Sequence, residues 1–314
     1  MTQEGRWQDL ATEAINPDTL GIDTMPVLDI IDLIGQEDRK VVAAVHRERG
    51  AIAHGVEILV GALKRGGRIF FVGAGTSGRL GVIEATEMPF TFGTPVSLVQ
   101  AVMAGGQDAV FRSKEGVEDN FEEGARSIAR LRVSKRDVVI GVSASGFTPF
   151  VRGALIAARK KGARIIFVTC QSGSELENFV DLIIAPVVGP EVIAGSTRLK
   201  AGTATKMVLN MLTTIAMIRI GKTYGNLMVD VQTGSEQRRR KACRIVAEVT
   251  GLDRLASVAL LKRAKWNVKA ALVMQQSNVT YTQAMGKLKK AENSVRTALG
   301  SDLATTLNKR GRQS

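Results

Sequence analysis

Arg68-Ile-Phe-Phe-Val72 runs directly into Gly73-Ala-Gly-Thr-Ser-Gly78, and the residues after it return to helical spacing. An apolar run, a glycine-rich loop and a helix make one strand-loop-helix step of a parallel α/β fold. The pattern predicts a helix that Pro89 stops, because proline has no backbone N–H and clashes with the preceding turn. The step is written again downstream. Asp137-Val-Val-Ile-Gly-Val142 reads as a strand and Ser143-Ala-Ser-Gly146 as a loop, with Thr148-Pro149 as the N-cap and first position of a helix to Lys161. Arg164-Ile-Ile-Phe-Val168, Leu182-Ile-Ile-Ala185 and Pro95-Val-Ser-Leu-Val-Gln-Ala101 supply further strands. Continuous apolar strands alternating with helices bury both sheet faces. The expected fold class is therefore α/β, a doubly wound parallel sheet with ligands at the carboxyl ends of its strands.

Outward from this core, residues 1–24 read as an irregular arm containing the turn Asn16-Pro17-Asp18. Between Pro26 and Arg65 the apolar positions Val27, Ile30, Ile31 and Ile34, and later Val56, Leu59, Val60 and Leu63, predict two N-terminal helices. Another helix is expected from Met207 to about Ile220. Near Gly234-Ser235 the composition turns basic and helical. Ile245 and Val249, Leu255 to Leu261, and Val268 to Leu272 predict a compact three-helix unit, so the expected domains are 1–234 and a small all-α domain, 235–314. The segment from Ala256 to Met274, with Trp266-Asn267-Val268-Lys269, resembles ubiquitin-associated-like modules, which often serve only to pack.

Composition removes several function classes. The chain has 314 residues, 45% apolar and 23% charged, and its most apolar stretch, Met207–Ile220, is interrupted by Asn210, Thr213, Thr214 and Arg219. That excludes a membrane span. The opening Met1-Thr-Gln-Glu-Gly-Arg-Trp7 lacks the charged and apolar regions of a secretory signal, so a cytoplasmic location is expected. Cys170 and Cys243 are the only cysteines, far apart, and His46 and His54 have no ligand cluster around them. No metal site is expected, and any acid–base chemistry falls to carboxylates or lysines. The net charge of +13 is local: residues 235–314 hold 17 Lys and Arg against 5 Asp and Glu, hence +12. A solvated basic helical surface is the expected reading, with a nucleic-acid patch as the alternative.

Gly73, Gly75 and Gly78 spell G-x-G-x-x-G, but a dinucleotide site also needs an acidic residue at the end of the next strand, where Gln100 stands. Hydroxyl chemistry is the better clue. Thr76 and Ser77 in the first loop, with Ser143, Ser145 and Thr148 in the second, can converge at the strand ends beside free helix N–H groups, which suits a phosphate monoester. The alternative is that they are only caps and turn residues.

Together, Ser143-Ala-Ser-Gly146 and the Gly73 loop resemble the sugar isomerase (SIS) domain, which binds phosphosugars. Four segments sharpen the resemblance: Gly73 to Gly81, Ala104-Gly-Gly106 with Glu115-Gly-Val-Glu-Asp119, Glu191-Val-Ile-Ala-Gly-Ser-Thr-Arg-Leu-Lys-Ala-Gly-Thr-Ala204, and Tyr224-Gly-Asn-Leu-Met-Val-Asp230. In order and spacing they resemble the N-acetylmuramic acid 6-phosphate etherases, over nearly the whole chain.

The resemblance implies a lyase that cleaves the D-lactyl ether at C3 of N-acetylmuramic acid 6-phosphate, giving N-acetylglucosamine 6-phosphate and D-lactate. It implies no cofactor. The route is C2 proton abstraction from the ring-opened aldehyde, loss of lactate, and addition of water. The family's acid–base glutamate falls on Glu87 and a second catalytic glutamate on Glu118. Two carboxylates in one pocket would separate in pKa, leaving one protonated as the acid. Substrate contacts are expected from Gly75, Thr76, Ser77, Gly78, Ser143, Ser145, Thr148, Glu191, Ser196 and Lys200, with Arg198 and Lys206 of lower weight. Glu84 and Glu115 are expected on solvated helix faces.

The second loop departs from the family's Ala-Ser-Gly-Arg-Thr-Pro-Tyr by carrying Phe147 and Phe150, which removes a cation and a phenol, and Met88 stands where a cysteine is expected. If that cation meets the lactate carboxylate, another residue must replace it. The rival readings are a non-catalytic sugar-phosphate sensor, which has no need of both glutamates, and a phosphosugar isomerase, disfavoured by the third and fourth segments. The expected partners are a phosphosugar and a second copy of the chain in a homodimer, with Thr12 to Asn16 reaching the neighbour's pocket.

Overall fold

The computed structural model describes residues 11–173 and 176–311 of the chain, so the reading of Met1 to Trp7 lies outside the described residues. The chain divides into two compact units, Met1–Ala85 with Ser97–Thr214, and Thr86–Val96 with Ile215–Ser314.

The first unit is built on five parallel strands, β1 (Ile69–Gly73), β2 (Val99–Met103), β3 (Val138–Val142), β4 (Arg164–Val168) and β5 (Leu182–Ile184), in the order β2-β1-β3-β4-β5. This is the doubly wound arrangement, with the order reversing beside β1. Gly73 pairs with Met103 on one side and Val142 on the other, so the loops after β1, β2 and β3 leave the sheet at one level. Alternate residues serve opposite faces. Phe70, Val72, Val139, Ile165 and Phe167 share one core with helices α5 (Phe121–Arg130) and α6 (Pro149–Lys160). On the other face, a methyl group on Gly81 would stand 2.8 Å from Phe71 Cβ, which brings helix α3 (Gly75–Phe92) against the sheet. Gly55 of α2 (Arg49–Lys64) lies in the same way against Leu182 and Leu212. Each fully buried Phe, Ile or Val in these layers stabilises the fold by about 1.5–3 kcal/mol.

Helices α5 and α6 touch backbone to backbone. A Cβ on Gly124 would sit 2.0 Å from the Phe150 carbonyl oxygen, and one on Gly153 would sit 2.0 Å from the Phe121 oxygen. Only hydrogen fits at either position. At the opposite end of the sheet, Asp137 ties β1 to β3: its carboxylate accepts from the Arg68 N–H at 2.8 Å, from Arg68 Nη2 at 2.9 Å and from the Ser134 N–H at 2.8 Å.

Three sequence expectations are corrected along the chain. Pro89 does not stop α3, which continues to Phe92 with the Gly93 N–H bonding the Pro89 carbonyl at 3.1 Å. Proline removes one rung there and the last turn closes beyond it. Strand β2 begins at Val99, because residues 96–98 turn, and it ends at Met103 with no acidic residue. Helix α7 (Lys200–Arg219) begins seven residues before the expected Met207. Weak helix formers, Gly202, Thr203 and Thr205, hide that start in the sequence. Within the chain itself Thr12 and Asn16 are buried: Gln171 Nε2 donates to Thr12 Oγ1 at 2.9 Å and the Gly195 N–H donates to the Thr12 carbonyl at 3.1 Å.

The N-terminal helices are α1 (Val27–Arg47) and α2. The second half of α1 buries Val41, Ala44 and Val45, while Val27, Leu28 and Ile31 in its first half are 72%, 73% and 58% exposed.

The second unit holds a short antiparallel pair, β6 (Thr223–Tyr224) with β7 (Leu227–Met228), and a helical core. The three helices expected after Ser235 are present as α8 (Glu236–Thr250), α9 (Arg254–Arg263) and α10 (Val268–Ser277), and three more follow: α11 (Tyr281–Lys290), α12 (Val295–Leu299) and α13 (Leu303–Gly311). In the later ones the core positions Ala284, Leu288 and Val295 stand singly among polar and basic residues, which weakens the periodic signal. Tyr224, wholly buried, bonds Thr306 Oγ1 at 2.5 Å. No helix among the described residues is long and apolar enough to cross a membrane.

Candidate functional site: a hydroxyl-lined cleft at the strand ends

Because β1, β2 and β3 end level with one another, their loops enclose a cleft of about 350 Å³ in the first unit. Gly75, Thr76 and Ser77 line it from the first turn of α3, where the opening N–H groups of a helix lack carbonyl partners one turn back. Gly75 has φ +52°, which a glycine adopts at no steric cost. Gly78 does not line the cleft. It closes the turn: its own Cβ would stand 2.8 Å from the Gly73 oxygen, and one on Gly73 would stand 2.7 Å from the Gly78 nitrogen.

The loop after β3 contributes Ser143, Ser145 and Thr148. Thr148 holds the N-cap position of α6, but its side chain does not cap the helix; its hydroxyl lies 2.8 Å from Ser143 Oγ. Ser143 Oγ also accepts the Gly146 N–H at 3.1 Å. The second loop is thus pre-wired, with its hydroxyls aligned before a ligand arrives, which lowers the ordering cost of binding.

Glu118 lines the same cleft, half-buried, and the Phe150 N–H donates to its backbone carbonyl at 2.9 Å. That bond hangs the Glu118 loop from the start of α6. Glu115 is exposed, but it stands on a turn that lines the cleft and not on the solvated helix face expected of it. Residues not singled out in the sequence also line the cleft: Arg79, Lys114 and Thr197. Arg79 Nε and Nη2 donate to the carbonyls of Val110 and Ala109, both at 2.9 Å, fixing the loop after β2. Its place inside the Gly73–Gly81 segment was the available signal. Thr197 had a comparable one, lying between the singled-out Ser196 and Lys200.

Glu87 is not among the lining residues. It lies twelve positions along α3 from Gly75, about 18 Å at 1.5 Å per residue, on an exposed face. Glu84 departs from the expected solvated face: it is 3% exposed, accepting from Thr213 Oγ1 at 2.7 Å and from Asn210 Nδ2. A carboxylate 126 residues away in sequence from its amide partner gives no local sign of burial.

Glu191, Ser196 and Lys200 belong to the loop that delivers Thr197, and none of the three lines the cleft. Glu191 is wholly buried, and its two carboxylate oxygens accept the Lys200 and Ala201 N–H groups at 2.9 Å each, capping α7. Burial pushes its pKa up, against those two hydrogen bonds and the nearby Lys200 charge, which pull it down. Lys200, 1% exposed, reaches Glu37 Oε2 at 2.5 Å. Burial acts to raise the Glu37 pKa, but the bonds from Lys200 and Lys40 outweigh it and hold the carboxyl below its ordinary value. Ser196 is half-buried, Arg198 is exposed, and Lys206 donates to Asn210. Cys170 is buried among Ala201 and Thr205, and burial pushes its thiol to about 12, so it is inert as a nucleophile. Among the described residues no three His, Cys, Asp or Glu side chains are grouped to hold a metal.

Residues 51–159 match the glucokinase regulatory protein N-terminal SIS domain and residues 121–215 match the SIS domain. Among solved structures, a phosphoheptose isomerase from Francisella tularensis is similar at 19% identity and a TM-score of 0.48, covering 62% of this chain and all of that one. An N-acetylmuramic acid 6-phosphate etherase of Salinibacter ruber is 50% identical over 94% of this chain and 95% of its own length. One of Picosynechococcus sp. is 46% identical over 93% and 97%. Identity at that level, across both units and nearly the full length of each relative, makes the chain a member of the N-acetylmuramic acid 6-phosphate etherase family.

Proposed function

We propose that this chain removes D-lactate from N-acetylmuramic acid 6-phosphate, leaving N-acetylglucosamine 6-phosphate. The observation that carries the reading is the gathering of Gly75 to Ser77, Ser143, Ser145, Thr148 and Glu118 around one cleft, in a chain half identical to etherases. Helix N–H groups and hydroxyls suit the phosphate, and Glu118 is a half-buried carboxylate in the same cleft. Ser196, Glu191 and Lys200 serve the substrate through the loop they hold, which carries Thr197.

In the proposed reaction the ring-opened aldehyde acidifies the C2 proton. Glu118 takes that proton, the C3–O bond breaks, and Glu87 protonates the departing lactate oxygen. The resulting C2=C3 alkene, conjugated to the aldehyde, then adds water at C3 and regains a proton at C2. The sum is water added and lactate released, with no change of oxidation state and no cofactor required. Residues 1–234 carry this chemistry in the proposal, and 235–314 form an accessory helical domain.

Glu87 is not among the residues lining the cleft, and the proposal takes it from a second copy in a homodimer. The exposed apolar side chains Val27, Leu28 and Ile31 on α1 offer surface for such an association. Mixing inactive Glu87→Gln with inactive Glu118→Gln after dissociation and reassociation tests the arrangement. Shared sites restore about a quarter of wild-type lactate release, since half the dimers are mixed and each mixed dimer has one intact site. No recovery from well-folded, mixed dimers would end the shared-site proposal. Absence of lactate release by wild type itself would end the etherase reading.

A further inference from the structure

A second cleft, of about 650 Å³, lies wholly within the second unit. Arg238, Arg240, Lys241 and Arg244 line it, all from α8, together with Phe90 and Met228, and no Asp or Glu is among its lining residues. Positions 237, 238, 240, 241 and 244 fall on one helical face, which is why the cations converge. Their charges are little compensated. Arg240 meets Glu236 at 2.6 Å in an exposed pair of the kind that contributes little in water. Lys241 Nζ approaches Met228 Sδ at 3.1 Å, a weak acceptor, and Arg238 stacks over the Phe90 ring at 4.6 Å. Among the described residues Arg244 has no carboxylate partner.

Four cations on one wall of a concave site repel one another, and the arrangement is relieved by a ligand carrying several negative charges. Guanidinium forks favour phosphate oxygens in particular. A single phosphate would meet only part of the row. The stacked Arg238–Phe90 pair adds a flat surface at one side, against which an attached ring system could lie.

We propose that this cleft binds an oligophosphate, a molecule with at least two linked phosphate groups, separately from the strand-end cleft and independently of the reaction proposed there. The test is calorimetric titration of the full-length protein with inorganic phosphate, inorganic tripolyphosphate and adenosine triphosphate, on wild type and on R240E/R244E. Both substituted arginines are exposed, so the fold should persist, as circular dichroism would verify. The expected result is that tripolyphosphate binds at least ten times tighter than phosphate, and that the double reversal weakens it at least tenfold while lactate release without added ligand is unchanged. Equal affinity for the two triphosphates identifies the phosphate chain as the ligand; tighter nucleotide binding adds the Arg238–Phe90 surface to it. Equal affinity for phosphate and tripolyphosphate, or insensitivity to R240E/R244E, overturns the proposal. So does duplex DNA binding that is tighter than tripolyphosphate and abolished by the same reversal, which would make the row a nucleic-acid surface.

Discussion

Glu84 and Glu118 belong to the same unit, yet the two regions that hold them treat a carboxylate in opposite ways. Glu84, Glu37 and Glu191 are buried, and each is bound by hydroxyl, amide, ammonium or backbone donors. At the strand ends, Glu118 is half-buried in a cleft, and it is its backbone that fixes its position. A carboxylate whose lone pairs are already occupied holds structure together. One held by its main chain keeps its side chain available for a substrate proton.

The largest expected effect falls on the open side of this contrast. Glu118→Gln removes a proton acceptor while keeping shape, and lactate release should drop by about 10²–10⁴-fold, the usual contribution of general acid–base catalysis. Its thermal midpoint should stay within a degree or two of wild type. Activity within a few-fold of wild type would break the comparison by making Glu118 one more structural carboxylate.

On the buried side, Lys200→Met should leave Glu37 facing only the half-exposed Lys40, costing about 3 kcal/mol in urea unfolding, as removal of one partner from a buried pair does. Lactate release measured on the folded fraction should change mainly in KM, through the loop that ends at Lys200. An unchanged urea midpoint would show that the pair contributes nothing to stability.

The smallest effect is in acid. Burial acts to raise the Asp137 pKa, but the bonds from Arg68 and Ser134 together hold it below the ordinary carboxylate range. A lowered folded value means the unfolded chain takes up the proton first. The stabilisation is therefore complete above the ordinary carboxylate pKa and is lost as pH falls through the folded one. Asp137→Asn should flatten the acid limb of stability against pH, measured by urea midpoints between about pH 5 and pH 2. An unaltered limb would assign the acid sensitivity to other carboxylates.

Much of the fold was legible because β1, β3 and β4 are unbroken apolar runs that only a doubly covered sheet can bury. The start of β2 was not, since Val96 to Leu98 share its composition but turn. The start of α7 was hidden because a carboxylate nine residues upstream, and not a local cap, supports it. In the cleft the hydroxyl loops could be read from two neighbouring segments. Arg79 was signalled by its place in the Gly73–Gly81 segment, whereas Lys114 becomes a cleft residue only through the packing of the loop after β2, which no spacing rule encodes. Glu84 and Glu87 lie three residues apart on one helix, and only tertiary contacts distinguish the buried tie from the exposed acid.

Gly124 and Gly153 let α5 and α6 close until backbone meets backbone, and the Glu118 loop is strung between the start of one and the start of the other. The two missing methyl groups thus act as a gauge for the separation between Glu118 and the Ser143–Thr148 hydroxyls. Inserting a methyl at either glycine would work as a shim between the helices, enlarging the reaction chamber from outside without altering any group that faces the substrate. Mutational drift at this seam can therefore retune how large a sugar the chamber admits, long before it changes the chemistry performed there.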